Sequence, residues 1–318
     1  MSRAPGGGSS AGEVGAFGDR LASRVETRSS QLVLGLDPDP ARLWPEALKA
    51  AGGVGSTPAE RAAEAVARHC ELVLDAVGGE CVAAKLQVAC FERLGAPGWA
   101  ALFAVAEAVR SRGLLVIADA KRGDIDVTAT AYAQAYFGET PTPFGAVAGL
   151  GADALTVNPL LGGDSLVPFV SAARSRGAGL FVLVRTSNPG AADLQDRRLA
   201  SGGTVSDRLG ELVAALGAQG VGSSGLADVG AVVGATVPER LEGLRELMPH
   251  APLLLPGVGA QGGRVEDLAA AFTPGRAGGL VSASRGIVAA HRHAGGEPGA
   301  AARAAAARLR ELAWEVSG

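Results

Sequence analysis

Lysine is nearly missing from this 318-residue chain: of 29 Lys plus Arg, only Lys49, Lys85 and Lys121 are lysine. Aromatic residues are also scarce, at 4% against 47% hydrophobic, so a core must be packed from aliphatic side chains and alanine. The three cysteines, Cys70, Cys81 and Cys90, are odd in number and lack metal-ligand spacing. They read as reduced thiols in a cytoplasmic protein. No His/Cys/carboxylate set has metal spacing, so no metal site is expected. Only four His occur, none at an expected strand end, which argues against histidine acid–base work. The net charge of −3 comes with no basic stripe, against a nucleic-acid surface. Apolar runs such as 179–184 are far too short to span a membrane. The opening residues, MSRAPGGGSSAGEVGAFGDR, hold no apolar segment that would serve as a secretory signal.

What is present is an alternation. Short apolar runs predict strands at 31–36, 81–86, 114–118, 154–157, 179–184, 229–233, 252–255 and 279–282. Helical patterns lie between them, at 57–77, 99–112, 124–137, 165–174, 205–216 and 238–248, with a short helix at 265–271 and a closing one at 300–316. Eight strand–helix units with polar and glycine signals at each strand's carboxyl end predict a single-domain α/β fold, a closed (β/α)8 TIM barrel over 19–318. Its active site belongs at that carboxyl face. A doubly wound open sheet is the alternative; no G-x-G-x-x-G follows the first strand to favour it. Residues 1–18, rich in Gly, Ser and Ala, are expected to form a disordered tail, and 139–149 reads as an insert.

The third run ends in Asp119-Ala120-Lys121-Arg122-Gly123-Asp124-Ile125. Side chains two apart on a strand share a face, so Asp119 and Lys121 point the same way, and Asp124 lies where the chain turns into the next helix. An ordinary reading is available: Asp124 caps that helix, and Asp119 and Lys121 form a structural ion pair. Lysine usage argues against it. A chain that writes nearly every cation as arginine has kept lysine at the ends of two expected strands, and an ammonium is a compact point charge that can donate a proton. In a barrel, Asp37, Lys85, Asp119, Lys121, Ser187, Gln261 and Arg285 would all face one pocket. The glycines at 257, 259, 262 and 263, followed one strand later by Arg285, fit a phosphate cradle. Two carboxylates flanked by two lysines can hold each other without metal. Such an array suits loss of a substrate carboxylate and protonation of the resulting carbanion.

The stretch from Asp119 to Ile125 resembles the D-x-K-x-x-D-I signature of the orotidine 5′-phosphate decarboxylase family. The likeness extends to Leu34-Gly35-Leu36-Asp37, Lys85, Thr186-Ser187-Asn188-Pro189-Gly190, Pro256-Gly257-Val258-Gly259-Ala260-Gln261-Gly262-Gly263 and Arg285, spanning roughly residues 31 to 290. Lys121-Arg122-Gly123 and the long insertions suggest the longer bacterial branch. The resemblance implies decarboxylation of orotidine 5′-phosphate to uridine 5′-phosphate, the last step of de novo pyrimidine synthesis, with no cofactor. It implies that Asp37 and Lys85 contact the ribose hydroxyls, that Asp119 sits against the substrate carboxylate and that Lys121 protonates C6. Ser187 would bind the pyrimidine, with Pro256 also at the substrate; Gln261 and Arg285 would bind the phosphate, with Gly257 and Gly259 in its cradle. Asp124, with Ile125 and Thr128 nearby, would enter the site of a partner subunit in a homodimer. Related sugar-phosphate decarboxylases and aldolases share D-x-K-x-x-D but use Mg²⁺, and a barrel that only binds a nucleotide phosphate is a third reading.

Overall fold

All eight expected strands are present in the computed structural model, which describes residues 15–53 and 55–318. In chain order the strands are β1 (Leu32–Leu36), β2 (Ala83–Gln87), β3 (Leu115–Arg122), a hairpin of β4 (Glu139–Thr142) and β5 (Gly145–Ala148), β6 (Ala154–Val157), β7 (Gly179–Arg185), β8 (Val229–Val233), β9 (Leu253–Pro256) and β10 (Gly279–Ala283). Eight of them close into a barrel in the order β1-β10-β9-β8-β7-β6-β3-β2, and every pairing in it is parallel. The β4–β5 hairpin is the one antiparallel pair among the described residues, and it stands outside the barrel. It occupies the insert at 139–149.

Strands buried on both faces carry two apolar sets in alternation. One set, including Val33, Ala83, Leu115, Ile117, Ala154, Phe181, Val232, Leu254 and Leu280, fills the barrel interior. The other, including Leu34, Leu86, Val116, Leu155, Val182, Leu255 and Val281, packs against the surrounding helices. The period of two then fixes which residues toward the strand ends look inward. Asp37, Lys85, Gln87, Asp119, Thr156, Pro256 and Ser282 stand at even steps from interior apolar residues. The core thus aims the chemistry.

The Phe17–Arg28 helix was not among the sequence expectations. It presents Phe17, Leu21 and Val25 at four-residue spacing, all buried in the interior cluster. The Phe17 ring meets Phe181 edge-on, with centroids 6.0 Å apart, and lies over Gly179 at the start of β7. The helix therefore closes the amino-terminal mouth of the barrel. Three such side chains, each contributing about 1.5–3 kcal/mol on full burial, anchor it well. The expected tail accordingly ends before Phe17; its residues 1–14 lie outside the described residues.

Other boundaries also shift. The Pro58–Val77 helix is fixed by a capping box, in which Thr57 accepts from the Glu60 N–H and the Glu60 carboxylate accepts from the Thr57 N–H. The short α-helix expected at 265–271 resolves into two 3-10 turns, Val265–Asp267 and Ala269–Phe272. β3 runs on past Ala118 to Arg122, and the following helix begins at Asp126 with Ile125 at its N-cap. No helix among the described residues is long and apolar enough to cross a membrane.

Candidate active site

A row of alternating charges crosses the carboxyl end of three adjacent strands. Asp37 follows β1, Lys85 is the third residue of β2, and Asp119 and Lys121 lie in the second half of β3. Parallel register sets Lys85 beside Ile117 and Gln87 beside Asp119. Lys85 Nζ donates to Asp119 Oδ2 at 2.7 Å and lies 3.7 Å from Asp37 Oδ1. Lys121 Nζ donates to Asp119 Oδ1 at 2.5 Å. Gln87 Nε2 adds a bond to Oδ2 at 3.1 Å, and the Thr156 hydroxyl one to Oδ1 at 2.9 Å. Four donors therefore saturate one buried carboxylate.

The charge states follow from this geometry. Burial alone would raise the Asp119 carboxyl, but the Lys85 and Lys121 ammoniums outweigh it and hold the group well below the usual carboxylate range. Burial likewise opposes the Lys85 charge, and Asp119 and Asp37 more than offset that, raising its pKa. Both groups are ionised at neutral pH. A buried carboxylate stripped of one such partner costs about 3–5 kcal/mol, so these charges stand only as a set. The two lysines differ in exposure: the Lys85 side chain is 9% exposed and that of Lys121 45%. The Lys85 ammonium lies deep in the cavity wall between Asp37 and Asp119, and the Lys121 ammonium stands more open on the cavity.

That cavity, ≈ 230 Å³, is lined by all seven residues expected to share a pocket: Asp37, Lys85, Asp119, Lys121, Ser187, Gln261 and Arg285. Pro256 and Gly257 line it too. Ser187 is carried on a loop anchored from below, where the Arg185 guanidinium grips the Asp196 carboxylate at 2.9 Å through both Nε and Nη2. Gln195 Oε1 accepts from the Thr186 N–H at 2.7 Å. The turn after β9 needs glycine: Gly257 has φ +102 and Gly262 φ +90, and a Cβ on Gly257 would lie 3.1 Å from the Ser187 Cβ. Arg285 opens the short helix after β10 and makes no ion pair among the described residues, so its guanidinium is free for an anion.

Four expected site residues lie elsewhere. Asp124, Ile125 and Thr128 sit at the rim, outside the cavity, with Ile125 51% exposed. The Asp124 carboxylate does not cap the helix; its Oδ1 accepts only from the adjacent Ile125 N–H, at 2.8 Å, and no cation of its own chain lies within 4.0 Å among the described residues. Gly259 lines an adjoining cavity of ≈ 680 Å³ that shares Asp37 and Arg285. Its N–H is taken by the Gly263 carbonyl at 2.9 Å, so it closes the turn rather than offering a donor. His69, on the wall of that second cavity, accepts from the Trp44 N–H and is pushed down to about 4 by burial, leaving it neutral.

Sequence reasoning passed over two partners of Asp119. Gln87 shares the face of Lys85 by the strand period, a signal that was available. Thr156 is one polar residue inside the apolar quartet Ala154–Val157, and only the inward parity of Ala154 could have marked it.

Known proteins resemble this chain over most of its length. The model of the orotidine 5′-phosphate decarboxylase / HUMPS family matches residues 30–305. A protein of Rhodopirellula baltica named orotidine 5′-phosphate decarboxylase is 43% identical over 279 residues, covering 87% of this chain and 89% of that protein. One of the same name from Deinococcus radiodurans is 43% identical over 302 residues, covering 93% and 96%. Among solved structures, the OMP decarboxylase of Leishmania donovani superposes with a TM-score of 0.70 at 32% identity, covering 95% of this chain and 99% of that one.

Proposed function

The chain belongs to the orotidine 5′-phosphate decarboxylase / HUMPS family, and from that membership and the charge array we infer that it converts orotidine 5′-phosphate to uridine 5′-phosphate in pyrimidine biosynthesis. The observation that carries the mechanism is the Asp37–Lys85–Asp119–Lys121 row at the cavity wall. The substrate carboxylate comes to rest beside ionised Asp119, and the Lys121 ammonium beside C6. The bond from C6 to the carboxyl carbon breaks, CO₂ leaves, and its electron pair stays on C6. The Lys121 ammonium stabilises that charge as it develops and then gives C6 a proton, regaining one from solvent. No electron sink is needed beyond the fixed charge, and so no cofactor is required.

The rest of the cavity divides the substrate. Asp37 and Lys85 take the ribose hydroxyls, Ser187 with Pro256 the pyrimidine, and Gln261 with Arg285 the phosphate over the turn at Gly257. Asp124, Ile125 and Thr128 serve the site of a second copy in a homodimer. This is supported by the Asp124 carboxylate, which meets no cation among the described residues and accepts only from the Ile125 N–H, and by the exposure of Ile125 at 51% and Val127 at 82% beside it. A cytoplasmic location accords with three free cysteines, two of them buried, the Cys81 thiol pushed up to about 12 by burial.

The direct test mixes the purified protein with orotidine 5′-phosphate and excess chelator and follows the pyrimidine absorbance. Turnover equal to that without chelator is expected. Activity that vanishes on chelation and returns with Mg²⁺ would overturn the metal-free mechanism, and no turnover of orotidine 5′-phosphate with or without chelator would overturn the substrate.

The phosphate grip has its own test. Arg285→Ala removes a charge-assisted contact worth about 1.5–3 kcal/mol, so kcat/KM for the nucleotide should fall about tenfold or more. Binding energy from the remote phosphate is used at the reacting centre. Turnover of the nucleoside orotidine, already slow, should be unaffected by the substitution. An equal loss on both substrates would remove Arg285 from the phosphate.

A further inference from the structure

The seam between β3 and β6 breaks register at one place. Ala118 pairs with Leu155 and Arg122 with Val157, so Asp119, Ala120 and Lys121 together stand opposite the single residue Thr156. A bulge of this kind interrupts ladder bonds and re-aims side chains. Here it accompanies a left-handed backbone at Lys121, φ +50, a conformation strained for any residue with a Cβ. Beyond it the ladder resumes, with the Asn158 N–H donating to the Arg122 carbonyl at 2.8 Å. Arg122 is pinned by Glu92 and lies over the Tyr132 ring.

One hydroxyl spans the gap. Thr156 Oγ1 accepts from the Lys121 N–H at 3.0 Å and donates to Asp119 Oδ1 at 2.9 Å. A hydroxyl has a single hydrogen, and Asp119 is ionised, so the direction of both bonds is fixed. Thr156 is 1% exposed, and its β-branched side chain has little rotamer freedom. The same atom therefore holds the backbone of the ammonium-bearing residue and the carboxylate that faces it.

We propose that Thr156 is a positioning residue of the decarboxylation. Its hydroxyl keeps Lys121 in the left-handed turn and orients Asp119, so that ammonium and carboxylate keep one geometry when the substrate carboxylate arrives beside them. The inference rests on the assignment of Asp119 and Lys121 to the reacting centre. Lys121 is the array's exposed member, on a flexible four-carbon stem, and an unfixed backbone would let its ammonium wander into the open cavity. Loss of that alignment penalises the chemical step. Asp119 Oδ2 would keep Lys85 and Gln87, and the ribose and phosphate contacts lie on other strands, so product binding would be spared.

Thr156→Val keeps the shape and deletes the hydroxyl; kcat should fall at least about tenfold while affinity for uridine 5′-phosphate stays within about twofold. Thr156→Ser restores the hydroxyl and should stay within about threefold of wild type in kcat. Should the valine variant fail to fold, Thr156→Ala compared with Thr156→Ser repeats the contrast in a smaller side chain. Lys121→Ala is measured alongside. If it keeps activity, the reacting-centre assignment falls, and this proposal with it. If it is inactive while Thr156→Val or Thr156→Ala turns over within about threefold of wild type, only the role of Thr156 is overturned. Equal losses in Ser and Val, or a parallel loss of product affinity, would reduce Thr156 to packing and overturn it too.

Discussion

Lys121→Arg is expected to be nearly as inactive as Lys121→Ala, with both losing on the order of 10⁴-fold or more in kcat. A positioned general acid contributes about 10²–10⁴-fold and a preorganised charge at the reacting centre about 10²–10³-fold; here one ammonium supplies both. Arginine keeps the positive charge but spreads it over a planar guanidinium that is a weaker acid than the ammonium and no compact point charge. Its planar fork is also longer than the lysine head. Lys121 Nζ already lies 2.5 Å from Asp119 Oδ1, so a guanidinium would have to displace that contact or project into the cavity. The backbone adds no new penalty, because Lys121 already bears a Cβ at φ +50. Affinity for uridine 5′-phosphate should survive in part, since the proposed ribose and phosphate contacts come from β1, β2, β9 and β10. Steady-state kinetics with calorimetry on the product would measure both. An arginine variant within about tenfold of wild type, roughly 1.4 kcal/mol of barrier, would take the proton-transfer role away from Lys121.

The barrel was legible in sequence because its strands are buried on both faces and so appear as unbroken apolar runs. Ala154–Val157 and Val229–Val233 emerge with their expected ends unchanged. What escaped detection lacked that signature. The Phe17–Arg28 helix follows a Gly-rich stretch whose composition spread over its first residues, although Phe17, Leu21 and Val25 repeat at helical spacing. β3 outran its apolar run because three of its last four residues, Asp119, Lys121 and Arg122, are charged and carry no apolar signal, although Asp119 is buried and the Lys121 N–H is tied to Thr156. The seven pocket residues could be foreseen from chain position alone, because a closed parallel barrel brings every strand's carboxyl end to one mouth. Gly259 could not be excluded in advance, since whether its N–H is free depends on how the turn closes on Gly263. Thr156 went unmarked because its importance lies in a register break, which sequence periodicity does not reveal.

Two inactive proteins, Asp124→Asn and Lys121→Ala, should recover activity when mixed. The expectation comes from the rim. Asp119 and Lys121 belong to the strand, whereas Asp124 follows Gly123, where the chain has left the barrel top, and its carboxylate meets no cation among the described residues of its own chain. An acid in that setting is idle unless something else approaches it. From Val127 to its end at Tyr136 the following helix carries no charged residue, and Val127, Thr128, Thr130, Ala131 and Ala135 are all exposed. A helix without charge on its outward face, where valine and alanine stand between threonines, has a surface suited to a second copy. If Asp124 completes the neighbour's site, each homodimer of a single variant carries the same lesion in both sites. In the mixed dimer one site collects both lesions and the other none. After random exchange of equal amounts, half of the dimers are mixed, so about a quarter of all sites are intact and activity should rise to about that share of wild type. Exchange is verified separately by tagging one variant and recovering the other with it. A mixture that stays inactive despite exchange would mean that Asp124 acts in its own subunit's site, and the uncharged helix face would then have no part in catalysis.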